Sequence, residues 1–165
     1  MLKAPQPLSI THVIDTFDCG VPSMNDWLKR RAAQNQASGA TRTFVCTDAN
    51  DHVIAYYALA SSAIAPAATP GRFRRNMPDP IPVVVLARLA VATSYQGKSI
   101  GRALFQDAGR RVINAADAIG IRGLLVHALS DEAKNFYLNL GLDPSPLDPM
   151  TLMVTIADLK AALAD

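Results

Sequence analysis

Val83-Val84-Val85-Leu86-Ala87-Arg88-Leu89-Ala90-Val91-Ala92, followed closely by Tyr95-Gln96-Gly97-Lys98-Ser99-Ile100-Gly101-Arg102-Ala103-Leu104, is the stretch on which the reading of this chain turns. The first half is apolar and rich in β-branched residues, the pattern of a buried strand. The second half opens with a small, flexible turn and enters a segment of helical spacing that continues through Phe105, Gln106, Asp107 and Ala108. A strand, a glycine turn and a helix start in succession make an anion site. The amides of the first helical turn have no intrahelical acceptor, and the helix dipole adds partial positive charge there. No Gly-Lys-Ser/Thr ending stands at P-loop spacing, and the glycines do not form a dinucleotide fingerprint.

Working outward, 165 residues suit one domain, and the expectation is a single domain over 1–165. Half of the residues are hydrophobic and 18% are charged, which excludes a disordered chain. No apolar run approaches the roughly 18 residues needed to cross a bilayer, and the N-terminus has no signal core, so a cytoplasmic protein without membrane contact is expected. Cys19 and Cys46 have neither metal spacing nor a disulfide-rich context, so no metal and two reduced thiols are expected. The net charge of +2 hides an asymmetry. Residues 29–111 hold twelve Lys/Arg against four acids, a balance of +8, while 1–28 carry −2 and 112–165 carry −4. A basic middle between acidic ends suggests a positive face.

In chain order, Leu8 to Ile14 alternates as a first strand. Ser23, with Asp26 three residues on, reads as the cap of a helix running to Gln36, with Trp27 and Leu28 facing the core. Arg42 to Thr47 and Val53 to Ala60 form a hairpin about the turn 48–51. From Ala65 to Pro82 the chain has neither period, and Arg72, Arg74 and Arg75 cluster there. Long irregular connections of this kind are usually functional or disordered, and three arginines within four residues favour function. The helix after the glycine loop extends to about Ala118. Gly123 to Ala128 is a buried strand. Ser130 caps a helix that ends at Gly141, a loop runs over 143–149, Thr151 to Val154 is a last strand, and a short helix closes the chain.

This order of elements resembles a GNAT N-acetyltransferase domain. Gln96-Gly97-Lys98-Ser99-Ile100-Gly101 is similar to the family's pyrophosphate loop, Gln/Arg-x-x-Gly-x-Gly/Ala, with Ser99 standing where the first glycine is usual. Ala133-Lys134-Asn135-Phe136-Tyr137-Leu138-Asn139-Leu140-Gly141-Leu142 is similar to its Ala-x-x-Phe-Tyr-x-x-x-Gly-Phe segment. The implied fold is α/β (α+β): a central mixed twisted sheet of about six to seven strands flanked by about four helices. Within the family the chain looks closest to the TacT/AtaT/KacT-type toxins of bacterial toxin–antitoxin pairs. The matching pieces are Phe17-Asp18-Cys19-Gly20, Asp26-Trp27-Leu28, Gly39 to Val45, Tyr56 to Ala60, and above all Arg75-Asn76-Met77-Pro78-Asp79-Pro80-Ile81-Pro82.

The resemblance implies acetyl transfer from acetyl-CoA to the α-amino group of aminoacyl-tRNA, which blocks translation. It also implies neutralisation by a ribbon-helix-helix antitoxin, and a homodimer. Leu89, Ala90 and Val91 would pair with the pantetheine arm, and the Val91 N–H would face the thioester oxygen. Gln96, Gly97, Lys98, Ser99, Ile100, Gly101, Arg102 and Ala103 would hold the diphosphate. Ser130, Asn135 and Phe136 would line the cofactor, and Tyr137 would protonate the leaving sulfur. By its spacing alone, Tyr137 reads equally as a core aromatic. RNA phosphates would meet Arg72, Arg74 and Arg75 first, then Lys29, Arg30, Arg31, Arg42 and Arg88. Arg88, in an apolar strand, reads equally as a partner for an aspartate. Two alternatives stand beside this reading: an N-acetyltransferase for a small-molecule amine, and a non-catalytic CoA-binding protein.

The central strand carries no carboxylate, and Glu132 is the only glutamate. A free α-amine titrates near ~7.7–8 against ~10.4 for lysine, and an ester beside it withdraws electrons and lowers it further. Such an amine is partly neutral at cellular pH without a strong base. The missing carboxylate therefore favours an α-amine over a lysine as acceptor. His127 is expected to be a hydrogen-bonded structural histidine.

Overall fold

The computed structural model describes residues 1–164. In order it holds β1 (Gln6–Pro7), α1 (Pro22–Arg30), α2 (Ala32–Ser38), β2 (Arg42–Thr47), β3 (Val53–Ile64), α3 (Gly71–Arg74), β4 (Ile81–Val91), α4 (Ile100–Ala116), β5 (Gly123–His127), α5 (Asp131–Asn139), β6 (Asp143–Pro144), β7 (Thr151–Thr155) and α6 (Ile156–Leu163). The strands form one seven-stranded sheet in the order β1-β2-β3-β4-β5-β7-β6. β4 and β5 run parallel, while β1–β2, β2–β3, β5–β7 and β6–β7 are antiparallel. The mixed sheet is the one expected, with six described helices in place of about four. The additional ones are the one-turn α3 and the second half of the first helix.

The chain divides into two compact units, residues 1–60 with 87–108, and residues 61–86 with 109 onward. In the first, Phe17, Met24, Leu28, Ala32, Val45 and Tyr56 form the core. The Tyr56 ring stacks on Trp27 at 5.9 Å and meets the edge of Phe17 at 5.4 Å, and its hydroxyl donates to the Met24 carbonyl at 2.7 Å. A buried phenol needs such a partner. In the second unit Phe73, Ile81, Val83, Leu125 and Met153 cluster. Gly123 is required there: a Cβ would lie 2.1 Å from the Val154 carbonyl oxygen and 2.6 Å from the Phe73 ring.

Four local expectations are corrected. Only Gln6 and Pro7 pair with β2; beyond Leu8 the chain turns, and Ile10 is fully exposed at 101%. The Ser9 amide donates to His12 Nδ1 and the Ser9 and Thr11 hydroxyls pair, local bonds that compete with a strand ladder. The first helix starts at Pro22 after Val21, with no side-chain cap, because a proline at the first position presets φ and has no N–H to satisfy. That helix also breaks at Arg31 (φ −120°), and no proline or glycine accounts for the break. Within 65–82 the chain is partly regular. A 3₁₀ turn spans Pro66–Ala68, and α3 forms because the Pro70 carbonyl accepts from Phe73 and Arg74 while the Phe73 ring is buried.

Candidate active site

β4 carries Leu89, Ala90 and Val91 at its far end. Its register with β5 pairs Val83 with Gly123 and Leu86 with Val126, and β5 stops at His127. β4 therefore outruns its parallel partner, and its last residues have no β5 residue opposite. The chain then makes a 3₁₀ turn at Thr93–Tyr95 and enters the glycine loop. Gly97 is left-handed at φ +78°, with open space where a Cβ would stand. Ser99 is also left-handed, at φ +63°, a conformation an L-residue adopts at a cost. The usual glycine and the observed serine thus meet the same backbone demand. The Ser99 carbonyl accepts from the Ala103 amide at 3.2 Å, so the amides of Ile100, Gly101 and Arg102 precede the first full helical bond. Lys98, Ser99 and Arg102 are exposed, and the Lys98 ammonium lies 5.4 Å from the Tyr95 ring centroid. Open amides, two cations and no side chain over Gly97 suit a diphosphate.

Gln96 is exposed, and its side chain is bonded back to the backbone. Its side-chain amide donates to the Val91 carbonyl at 2.8 Å and the Cys19 carbonyl at 3.0 Å. Asp107, about two turns into α4, accepts from the Tyr57 hydroxyl at 2.5 Å, tying this helix to β3. Burial, together with the nearby Asp107 carboxylate, pushes the Cys46 thiol up to about 11, so that thiol stays protonated and unreactive.

In the second unit Ser130 caps α5, its hydroxyl accepting from the Ala133 amide at 3.1 Å. Asn135 is exposed, Phe136 is half-buried and Tyr137 is buried at 7%. The Phe136 and Tyr137 rings meet edge to face at 5.1 Å. Burial raises the Tyr137 phenol above its ordinary value, so it is protonated through the neutral range. His127 is exposed, and its Nδ1 lies 2.9 Å from the Thr151 hydroxyl. That hydroxyl donates to Asp148 at 2.8 Å, so Nδ1 is the donor and the ring is anchored.

The cations differ in what they already hold. Arg72 makes a two-pronged pair with Asp158, at 2.8 and 2.5 Å, and this holds the Asp158 carboxyl below its ordinary range. Arg74 donates to the Thr69 carbonyl at 2.5 Å, and Arg75 is exposed just beyond α3. Lys29, Arg30 and Arg31 are exposed at the end of α1, and Arg42 donates to the Gln36 carbonyl at 2.7 Å. Arg88 lies over the Trp27 ring at 5.3 Å rather than against an aspartate. Sequence reasoning missed Asp107, Asp158 and Asn25. The signal for Asn25 was the Asp18-Cys19-Gly20 turn, which calls for side-chain acceptors and donors nearby.

A family model described as the acetyltransferase (GNAT) domain matches residues 39–141, well over half of the chain. The chain belongs to the GNAT acetyltransferase family. The family match takes in the glycine loop and α5, and its fold accounts for the mixed sheet described above. The chain is 46% identical over 164 residues, 99% of its length and 98% of the relative's, to a tRNA-acetylating toxin of Mycobacterium tuberculosis. It resembles a structure of AtaT complexed with acetyl-methionyl-tRNA, with TM-score 0.90 and 28% identity over 98% of both chains. It also resembles a variant of AtaT bound to the C-terminus of the antitoxin AtaR and acetyl-CoA, with TM-score 0.86 and 27% identity over 99% of both.

Proposed function

We propose that this GNAT acetyltransferase transfers the acetyl group of acetyl-CoA to the α-amino group of aminoacyl-tRNA and so stops translation. The observation that carries the reading is the 46% identity, end to end, with a tRNA-acetylating toxin. The AtaT structures with acetyl-methionyl-tRNA, and with acetyl-CoA and antitoxin, support the same reaction and the same partners. A ribbon-helix-helix antitoxin neutralises the chain in this reading, the whole chain acts as one functional domain, and the protein works in the cytoplasm as a homodimer.

Acetyl-CoA supplies an activated thioester, and the chain supplies its surroundings. The amides from Gly97 to Ala103, with Lys98 and Arg102, bind the diphosphate. The free edge of β4 at Leu89, Ala90 and Val91 receives the pantetheine as an added strand, and the Val91 N–H stabilises negative charge developing on the carbonyl oxygen. Ser130, Asn135 and Phe136 border the arm. Tyr137 donates to the leaving sulfur as its carbon–sulfur bond breaks, and the attacking nitrogen sheds the balancing proton to solvent. The phosphates of the acceptor arm meet Arg75 and the exposed Lys29, Arg30 and Arg31, with Arg72, Arg74, Arg42 and Arg88 adding field while held by their own partners.

The test is labelled acetyl-CoA with total charged tRNA. Label on RNA that is released when the aminoacyl ester is hydrolysed is the expected result. Label confined to free small amines would overturn the tRNA assignment in favour of a small-molecule acetyltransferase.

A further inference from the structure

The loop that would hold the diphosphate is tied back to the start of α1 by a closed set of hydrogen bonds. Asp18 Oδ1 accepts from the Gly20 amide at 2.9 Å and from Asn25 Nδ2 at 3.0 Å. Asn25 Oδ1 accepts from the Cys19 amide at 2.9 Å. Three residues are thereby wound into one tight turn, with Gly20 left-handed at φ +87°. That turn offers two carbonyls outward. The Asp18 carbonyl accepts from the Thr93 amide at 2.9 Å, and the Cys19 carbonyl accepts from Gln96 Nε2 at 3.0 Å. The second hydrogen of the same Gln96 amide goes to the Val91 carbonyl at 2.8 Å. The end of β4, the 3₁₀ turn and the first residue of the glycine loop are therefore all held by one template. Every atom of it lies within the first unit.

We propose that Asp18, Asn25 and Gln96 are positioning residues that set the cofactor loop in its binding form before any ligand arrives. The inference rests on the acetyl-CoA reading given above. Gly97 and Ser99 are both left-handed and both exposed, so their own packing does little to hold that shape. Without the template the loop would relax, and binding would have to bear the cost of ordering it again. Asn25 is the central member, because one amide reads both an acceptor and a donor of the turn. None of the three needs to touch the ligand through its side chain.

Isosteric variants test this by calorimetric titration with acetyl-CoA and by steady-state kinetics. Gln96→Glu replaces the double donor by oxygen facing two carbonyl oxygens. Asn25→Asp sets a carboxylate against Asp18. Each is expected to weaken acetyl-CoA binding by about 10- to 100-fold, the scale of two missing hydrogen bonds for Gln96→Glu and of one missing bond with carboxylate repulsion for Asn25→Asp. KM for acetyl-CoA rises in step, while KM for charged tRNA stays within about twofold. A residue that only stabilised the fold would lower the active fraction, and so kcat, without moving either KM. Asp18→Ala leaves the Gly20 amide and Asn25 Nδ2 without the oxygen they share, and is expected to weaken acetyl-CoA binding over the same range. Unchanged affinity in Gln96→Glu, Asn25→Asp and Asp18→Ala, with wild type binding normally, would overturn the positioning role alone. Absence of acetyl-CoA binding by the wild type would overturn the underlying cofactor reading and this inference together.

Discussion

Replacing Tyr137 by phenylalanine removes one oxygen and leaves the ring, its edge-to-face packing with Phe136 and the α5 backbone unchanged. The side chain is 7% exposed, so the phenylalanine refills the same space. Losing a buried hydroxyl alters stability by about 0.5–1.5 kcal/mol, or a few degrees in Tm for a chain of this size. The effect on turnover is far larger. A positioned general acid contributes about 10²- to 10⁴-fold, equivalent to roughly 3–5 kcal/mol of transition-state stabilisation. Burial raises the Tyr137 phenol, which guarantees the protonated form but makes it a weaker acid than the thiol it serves. In the proposed acid role most of its effect would therefore be delivered as a hydrogen bond to sulfur while charge develops there. The assay is acetyl transfer to total charged tRNA across pH, beside acetyl-CoA affinity. Expected are a kcat at least about 100-fold lower, an acetyl-CoA affinity within about threefold, and no alkaline limb below about pH 10 attributable to Tyr137 in the wild type. A folded Tyr137→Phe protein turning over within about threefold of wild type would refute the acid role and leave Tyr137 a core aromatic.

Ser99→Gly relieves about 1–2 kcal/mol of left-handed strain and loses about 0.5–1 kcal/mol to chain entropy, so Tm should hold or rise by a few degrees, whereas Ser99→Val should lower it; thermal unfolding checks both. Gly123→Ala drives a methyl into the Val154 carbonyl and the Phe73 ring, and should cost about 3 kcal/mol or more, read as a Tm lower by roughly 6–12 °C. Asp158 has its carboxyl depressed by Arg72, so its stabilisation is present above the unfolded value near ~3.9 and fades as pH falls through the lower folded value. Asp158→Asn should accordingly lower Tm slightly at neutral pH and not at all in acid, the small size following from an exposed pair. Arg75→Ala should weaken charged-tRNA binding and make the fall of log affinity with log salt shallower by about one for each phosphate left unneutralised, with acetyl-CoA affinity unchanged; titrations at several salt concentrations check it.

The residues themselves announced the buried central strand, the glycine loop and the helix after it, because β-branched runs and glycine turns are local signals that survive into almost any fold. Ser130 as a cap and Gly141 as a stop were legible for the same reason, the hydroxyl and the left-handed glycine acting within one helical turn. Only the tertiary structure decided that Gln96 binds the Cys19 and Val91 carbonyls, that Arg72 is held by Asp158, that Arg88 rides on Trp27, and that Asp18 and Asn25 build a turn tied to the loop. The alternation over Leu8 to Ile14 misled for the converse reason, since the His12 ring captured the Ser9 amide and the Ser9 carbonyl took the His12 amide, closing a local turn in place of a strand ladder. Local backbone chemistry is written in neighbours, and so it can be read along the chain. The partner of a long polar side chain is a residue up to 86 positions away, and it is chosen only when the packed sheet and helices bring the two within hydrogen-bond reach.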